Sequence, residues 1–183
     1  MTIDISTATP DDAGALAACA AVTFPLACPA DSLPEDIQRH IGTHLSAGRF
    51  AANIATPGTT ILCIREADLI AGYSMIVLEQ PTDPDVLGAL SISPSVELSK
   101  FYVHPDHHGR GSAQALMTAT LDLAAASGLP GVWLGVNQEN ERAIRFYTRS
   151  GFRRVGSKRF QLGERFEEDF ILEQGLPTSA GMV

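Results

Sequence analysis

The chain has 183 residues, 45% of them hydrophobic and 19% charged, a balance that fits a globular protein and excludes a disordered one. A formal net charge of −8 excludes nucleic acid as the main partner, since phosphate binding needs a basic face, and is compatible with a cationic ligand. The polar, acidic N-terminus is not a secretory signal and no apolar run approaches the roughly 20 residues of a membrane span, so no membrane partner and a cytoplasmic location are expected.

Residues 2–7 alternate around Ile3 and Ile5 and predict a short strand. Thr9 followed by Pro10, Asp11 and Asp12 reads as a helix start, with proline at the first position and acids in the first turn. An alanine-rich helix then runs to about Val22. Pro25, Pro29 and Pro34 make 24–34 a loop. Ile37, Ile41 and Leu45 stand at helical spacing and predict a second helix over 35–45, with a further turn near 49–55. Two apolar runs, 59–65 and 69–78, separated by Glu66, Ala67 and Asp68, predict an antiparallel hairpin. Cys19, Cys28 and Cys63 are odd in number and lack metal spacing, so they read as buried or idle thiols.

Pro81, Pro84 and Pro94 break the stretch 79–94, which predicts a long loop with one helical turn at 85–90. Loops of that length are often functional. A strand over 96–103, a helix over 112–127 and a buried strand over 132–136 follow. That strand–helix–strand unit should be a parallel right-handed crossover. A helix over 139–150 stops at Gly151, and a last hairpin, 152–162 with 165–172, turns at Gly163 and Glu164. The expected organisation is a single domain over 1–175 and a flexible tail over 176–183.

The most specific feature lies between the 96–103 strand and the next helix. Val103 is followed by His104, Pro105, Asp106, His107, His108, Gly109, Arg110, Gly111, Ser112, Ala113 and Gln114. A strand ends, a glycine-rich turn follows and a helix begins at once. Unpaired N–H groups at such a helix start, aided by its dipole, form an anion site. Gly109 and Gly111 permit the dihedrals this needs, and Arg110 can add a charge-assisted contact. The pattern matches neither a nucleotide P-loop nor a dinucleotide fingerprint. His104, His107 and His108 match no common zinc spacing, so no metal is expected.

Phe101, Tyr102, Val103, His104 and Pro105, with His108 to Ala113, resemble the coenzyme-A motif of the GNAT superfamily of N-acetyltransferases, Gln/Arg-x-x-Gly-x-Gly/Ala. His108 replaces its first position, a small departure because the family holds phosphate mostly through backbone N–H groups. A second motif, Asn137 to Asn140, then Ala143, Phe146, Tyr147, Gly151 and Phe152, strengthens the resemblance, which covers 96 to about 172 firmly. It implies a mixed α/β (α+β) fold, with a six- to seven-stranded twisted sheet, helices on both faces and a parallel strand pair that splays apart. It also implies acetyl-CoA as co-substrate, an amine acceptor, and a coenzyme site at Phe101, Tyr102, Val103, 108–114, Asn137, Asn140, Ala143 and Phe146. A homodimer stays open.

Within the resemblance Tyr147 takes the place of the acid that protonates the leaving thiolate, although an aromatic pair on an amphipathic helix is also ordinary core. Some family members carry a glutamate where this chain has Gly135. Glu97, on the preceding strand, is the alternative base, and alternation puts Glu97, Ser99, Phe101 and Val103 on one face. A solvated strand-end charge is the competing reading of Glu97. Asn140 can equally be a plain helix cap.

A finer resemblance, through Trp133–Val136, Gly156–Phe160, Leu162, Gly163 and Asp169–Leu172, is to bacterial spermidine/spermine N-acetyltransferases. Glu164, Glu167, Glu168 and Asp169 suit a polyamine or serve only to solubilise a turn. A peptide acceptor and a non-catalytic acyl-CoA-binding module are the alternatives.

Overall fold

The computed structural model describes residues 3–67 and 69–177. Thr2 of the first expected strand, Asp68 of the expected hairpin turn and residues 178–183 of the expected tail lie outside the described residues. The first strand is β1 (Asp4–Thr7). Thr9 then donates its N–H and hydroxyl to the Asp12 carboxylate, at 2.6 and 3.0 Å, across a 3-10 turn with Pro10 at its start, and α1 (Ala13–Thr23) follows. Arg65 clamps Asp12 through two hydrogen bonds of 2.7 and 2.8 Å, which ties this start to the sheet.

Pro34 belongs to the second helix rather than to the loop before it. It takes the first position of α2 (Pro34–His44), where its missing N–H costs nothing. The turn expected near 49–55 is a full helix, α3 (Ala47–Ala55), started by Ser46, whose hydroxyl accepts from the Arg49 N–H. Three helices therefore precede the hairpin, not two.

The hairpin is β2 (Thr59–Glu66) and β3 (Leu69–Val77). A short helix, α4 (Pro84–Ala89), interrupts the long loop. Then come β4 (Ser95–Val103), α5 (Ser112–Ala126), β5 (Gly131–Asn137), α6 (Glu141–Arg149), β6 (Arg153–Leu162) and β7 (Arg165–Gly175). All seven strands form one sheet in the order β1-β2-β3-β4-β5-β7-β6. Among the described residues only β4 and β5 run parallel. The last strand inserts beside β5, leaving β6 at the edge. Leu176 stays buried beyond β7 and donates its N–H to the Pro130 carbonyl.

Two apolar layers cover the sheet. On one face Tyr73, Met75, Ile61 and Cys63 pack with Leu16, Ala20 and Phe50 of α1 and α3. Farther along the same face, Val86 of α4 covers Trp133 and Ile171. On the other face Leu116 and Met117 of α5 and Tyr147 of α6 cover Ile64, Leu98, Leu134 and Leu172. Among the described residues no helix is long and apolar enough to cross a membrane.

The long loop is tied down before β4 begins. The fully buried Glu173 carboxylate accepts the backbone N–H groups of Ser91 and Ile92 at 2.9 and 3.2 Å, and also bonds the Ser91 hydroxyl and Arg153. Gln80 brackets Ser95, accepting from its N–H and donating to its carbonyl. These bonds fix the place where β4 meets β5. There a Cβ on Gly131 would lie 2.5 Å from the Ser95 hydroxyl and 2.6 Å from Ile92. Gly131→Ala should therefore destabilise the protein by about 1–3 kcal/mol through overpacking, read as a lower urea midpoint. An unchanged midpoint would mean that this junction yields freely.

Candidate active site

Strand β4 pairs with β5 at three positions only, Ser95 with Gly131, Val96 with Val132 and Glu97 with Trp133. Both strands continue beyond, but they no longer pair, so the expected splay is present. On its other side β4 stays paired to β3 as far as Val103, with one register shift. Glu97 opposes Val77 and Leu98 opposes Ile76, yet Lys100 opposes Met75 and Phe101 opposes Ser74. Ser99 is the extra residue of a β-bulge, which bends the strand and increases its twist.

The bulge overturns the expected face of β4. Opposed residues share a face, and Val77, Met75 and Tyr73 alternate onto one side of β3. Glu97, Lys100 and Tyr102 therefore lie together on the α1 side. Leu98, Phe101 and Val103 lie on the α5 side. Glu97 does not share a face with Phe101 and Val103, because one inserted residue inverts the alternation. The Tyr102 ring stacks on Tyr73 at 5.6 Å between centroids, so only its backbone is available from the α5 side.

A cleft of about 790 Å³ follows the gap and reaches both faces of the sheet. Of the expected residues, Glu97, Phe101, Tyr102, Val103, His108, Gly109, Ala113, Asn137, Asn140, Ala143, Phe146 and Tyr147 line it. Arg110, Gly111, Ser112 and Gln114 do not. Arg110, Gly111 and Gln114 are exposed on the loop and helix start, and Ser112 is buried. Gly109 and Gly111 have φ of 76° and 81°, the left-handed region that the loop was expected to need. No atom lies within 4 Å of where a Cβ would stand at either, so the loop is open to a close approach. No side chain caps α5, and its first N–H groups have no partner within the helix. The His108 ring is bonded to the Val103 carbonyl at 2.8 Å, and His107 pairs with Glu66 at 2.9 Å. Among the described residues no group of three metal-ligating side chains gathers.

Phe101, Phe146, Tyr147 and Phe152 form one aromatic wall on the α5 side, with Phe101 and Phe146 stacked at 5.5 Å. Burial holds the Tyr147 phenol above its ordinary pKa, so it stays protonated at neutral pH. The Asn140 side chain accepts from the Ala143 N–H and so is a helix cap, and Asn137 accepts from the Glu139 N–H. Burial pushes the Glu97 carboxyl above the ordinary carboxylate range, against the pull of Lys100, Lys158 and Ser99. Burial lowers the Lys100 ammonium, which the Glu97 charge opposes.

Several lining residues were not legible beforehand. Lys100 reached the Glu97 face through the bulge, which no sequence signal announced. Lys158 lies over Gly135, where a Cβ would come 2.6 Å from its Cε. Its ammonium stands 3.7 Å from Asp169, in the space that a glutamate on β5 would need. His40 of α2 stacks on Phe24 at 4.5 Å, and burial depresses it to about 4, leaving a neutral ring in the wall.

The acetyltransferase (GNAT) family model matches residues 30–152. An uncharacterized N-acetyltransferase of Mycobacterium tuberculosis is 43% identical over 165 residues, covering 90% of this chain and 98% of the relative. A phosphinothricin N-acetyltransferase of Streptomyces coelicolor is 29% identical over 133 residues, 73% of this chain and 68% of that one. Among solved structures, a PaiA N-acetyltransferase from Thermoplasma acidophilum in complex with coenzyme A superposes with a TM-score of 0.75. The two chains are 18% identical, with 96% of this chain and 99% of the other covered.

The charges around Glu97 make a titration that can be checked. Lys100→Met removes a cation that favours the ionised carboxylate and leaves burial less opposed. The Glu97 pKa should then rise further above its already elevated position, followed by carboxyl carbon NMR of glutamate-labelled protein. A Glu97 resonance that titrates alike in both proteins would mean the two charges do not interact.

Proposed function

This chain belongs to the acetyltransferase (GNAT) family, and from that premise we propose that it carries an acetyl group from acetyl-CoA to a primary amine of a small cationic molecule. It is an acyltransferase by that membership. The observation that carries the reading is the gap between β4 and β5, with Tyr147 in the wall on one side and Glu97 on the other.

The residues fit the coenzyme in three ways. Left-handed glycines and free helix N–H groups offer donors to a pyrophosphate, and nothing crowds them. The unpaired edges of β4 and β5, at Phe101 to Val103 and at Asn137, suit the amides of a pantetheine arm. Ala143 and Phe146 give that arm an apolar side. The thioester supplies an activated acetyl group.

The remaining work falls to the chain. Glu97, more basic than an ordinary carboxylate, takes a proton from the acceptor ammonium, directly or through water. The amine nitrogen then forms a bond to the carbonyl carbon, and a backbone N–H of β4 near Phe101 stabilises the developing oxyanion. The carbon–sulfur bond breaks, the Tyr147 phenol protonates the departing thiolate, and the second proton leaves the new amide nitrogen and restores the phenol, directly or through water, while Glu97 gives its proton up to solvent. The phenol is buried and keeps its proton until a strong base appears beside it. A binding-only role leaves this pairing of acid and base without a use.

The cationic acceptor, of which a polyamine is one kind, is supported by the acids turned into the cleft. Glu97, Glu167 and Asp169 line it, and Asp169 is buried. Lys100 and Lys158 stand among them, so the wall alternates in charge.

The test is thiol release from acetyl-CoA across a panel of small amines, polyamines and peptides. Release that no amine stimulates would sink the proposal. Tyr147→Phe keeps the ring and removes the proton, so single-turnover transfer should fall about 10²–10⁴-fold while coenzyme affinity barely moves. A rate within twofold of the parent would assign the proton to another group. Gly109→Asp places a carboxylate in the open cradle and forces a side chain into the left-handed region. Calorimetry should show coenzyme A affinity at least ~10-fold weaker. Equal affinity in a folded variant would mean that this loop does not hold phosphate.

A further inference from the structure

A second cavity, of about 370 Å³, lies between the loop that follows β3 and the place where β4 meets β5. Val77, Glu97 and Trp133 stand opposite one another on β3, β4 and β5 and line it from the sheet. Glu79, Gln80 and Thr82 line it from the loop and are exposed, so the cavity reaches the surface. Glu97 and Lys158 are the two residues that line both this cavity and the cleft. Glu97 therefore stands between two spaces, one that takes the substrates of the proposed reaction and one that leads to solvent.

Trp133 lines the second cavity and not the cleft. It is 4% exposed, and its indole N–H is buried without a hydrogen-bond partner among the described residues. A buried donor left unpaired is costly, so a native fold keeps one where something else completes it. The register sets Trp133 between two acids, Glu97 on β4 and Glu173 on β7. Glu173 already takes the N–H groups of Ser91 and Ile92, the Ser91 hydroxyl and Arg153. Gln80 is engaged with Leu78 and Ser95. Glu97 is the acid that remains, and no direct hydrogen bond joins it to the indole. The cavity has room for several waters, each of which takes about 30 Å³. A water beside Glu97 has the indole N–H, the carboxyl and the Lys158 ammonium as partners, and buried waters typically make about three hydrogen bonds.

We infer that Trp133 is a positioning residue for proton release: its indole N–H holds a water against Glu97, and the second cavity carries the proton from Glu97 to solvent. The inference rests on the proposed acetyl transfer with Glu97 as its base. On the cleft side an N–H bond of the acceptor ammonium breaks and an O–H bond of Glu97 forms. On the cavity side that O–H bond breaks, the held water takes the proton and passes it on to bulk solvent, and the carboxylate is restored. One proton reaches solvent for each acetyl group moved, and it does not have to pass the bound substrates. The Lys158 ammonium favours the ionised carboxylate and so favours the proton's departure.

Trp133 is the chain's only tryptophan, so its indole N–H gives a single NMR resonance. In the free protein that resonance should show cross-relaxation with water and should shift as Glu97 titrates. Lys100, Glu79, Asp83, Glu173 and Lys158 with its partner Asp169 also carry charge around this pair, so Glu97→Gln is the control, and there the shift should disappear. An indole without water contact, or one that titrates alike in Glu97→Gln, overturns the inference. Trp133→Phe keeps a ring beneath Val86 and removes the donor. With an amine that the parent acetylates, its single-turnover transfer should fall about 10-fold while coenzyme A affinity stays within twofold, and added imidazole, a small proton carrier, should restore part of the loss. A rate within twofold of the parent, or a loss that imidazole leaves untouched, overturns the relay. Failure of the underlying reaction reads differently. If no amine is acetylated, or if Glu97→Gln transfers at the parent rate, the proton route is overturned with the reaction or its base, while the indole signal still reports the water.

Discussion

Strand β4 can satisfy only part of its backbone. It pairs with β5 from Ser95 to Glu97, and then the two strands run on without meeting. In a sheet interior such a gap leaves N–H and C=O groups that need partners. The site depends on that constraint. The free edges are what a pantetheine arm can bond, and the opening connects the α5 face of the sheet with the α1 face. The bulge at Ser99 helps create it, since a bulged strand bends and twists away from its neighbour. The beginning of the strand is held firmly by Gln80 and by the Glu173 network, so the divergence starts at a fixed point.

The same bulge divides the labour between the two faces. Phe101 and Val103 turn toward α5 and α6, where the glycine loop, Tyr147 and the aromatic wall gather. Glu97, Lys100 and Tyr102 turn toward α1, where an acceptor would enter. A regular strand would have put Glu97 beside Phe101, on the same side as the glycine loop and the aromatic wall. One extra residue sets Tyr147 and Glu97, the proposed acid and base, on opposite sides of the gap, an arrangement suited to a reaction whose two substrates arrive from opposite faces.

Charge inside the cleft differs from charge on the whole chain. The protein carries a net −8, yet Glu97 faces Lys100 and Asp169 faces Lys158. Partial burial raises both carboxyls and lowers the Lys100 ammonium, so each group is poised to exchange protons more readily than on the surface. Gly135 makes room for this, because its missing side chain admits Lys158. Glu167 pairs only distantly, with Arg165 at 3.7 Å, and Phe160 faces it across β6 and β7.

The sequence by itself determined the elements and the loop. Periodicity located the strands and most helices, because hydrophobic faces repeat at 2 and 3.6 residues. Pro10, Gly109, Gly111 and Gly151 marked boundaries where backbone geometry leaves few alternatives. Tyr147, Asn140 and the glycine loop were legible because their positions are local to one helix or one turn. Register and neighbour choice were not, since they depend on contacts between distant segments. No local pattern shows that β7 enters between β5 and β6, that α3 is a full helix, or that Ser99 is an extra residue. Lys100, Lys158, His40 and Glu167 reach the cleft only through those choices. Tertiary structure alone decided which charges face one another, because a one-residue change of register moves every later side chain to the opposite face.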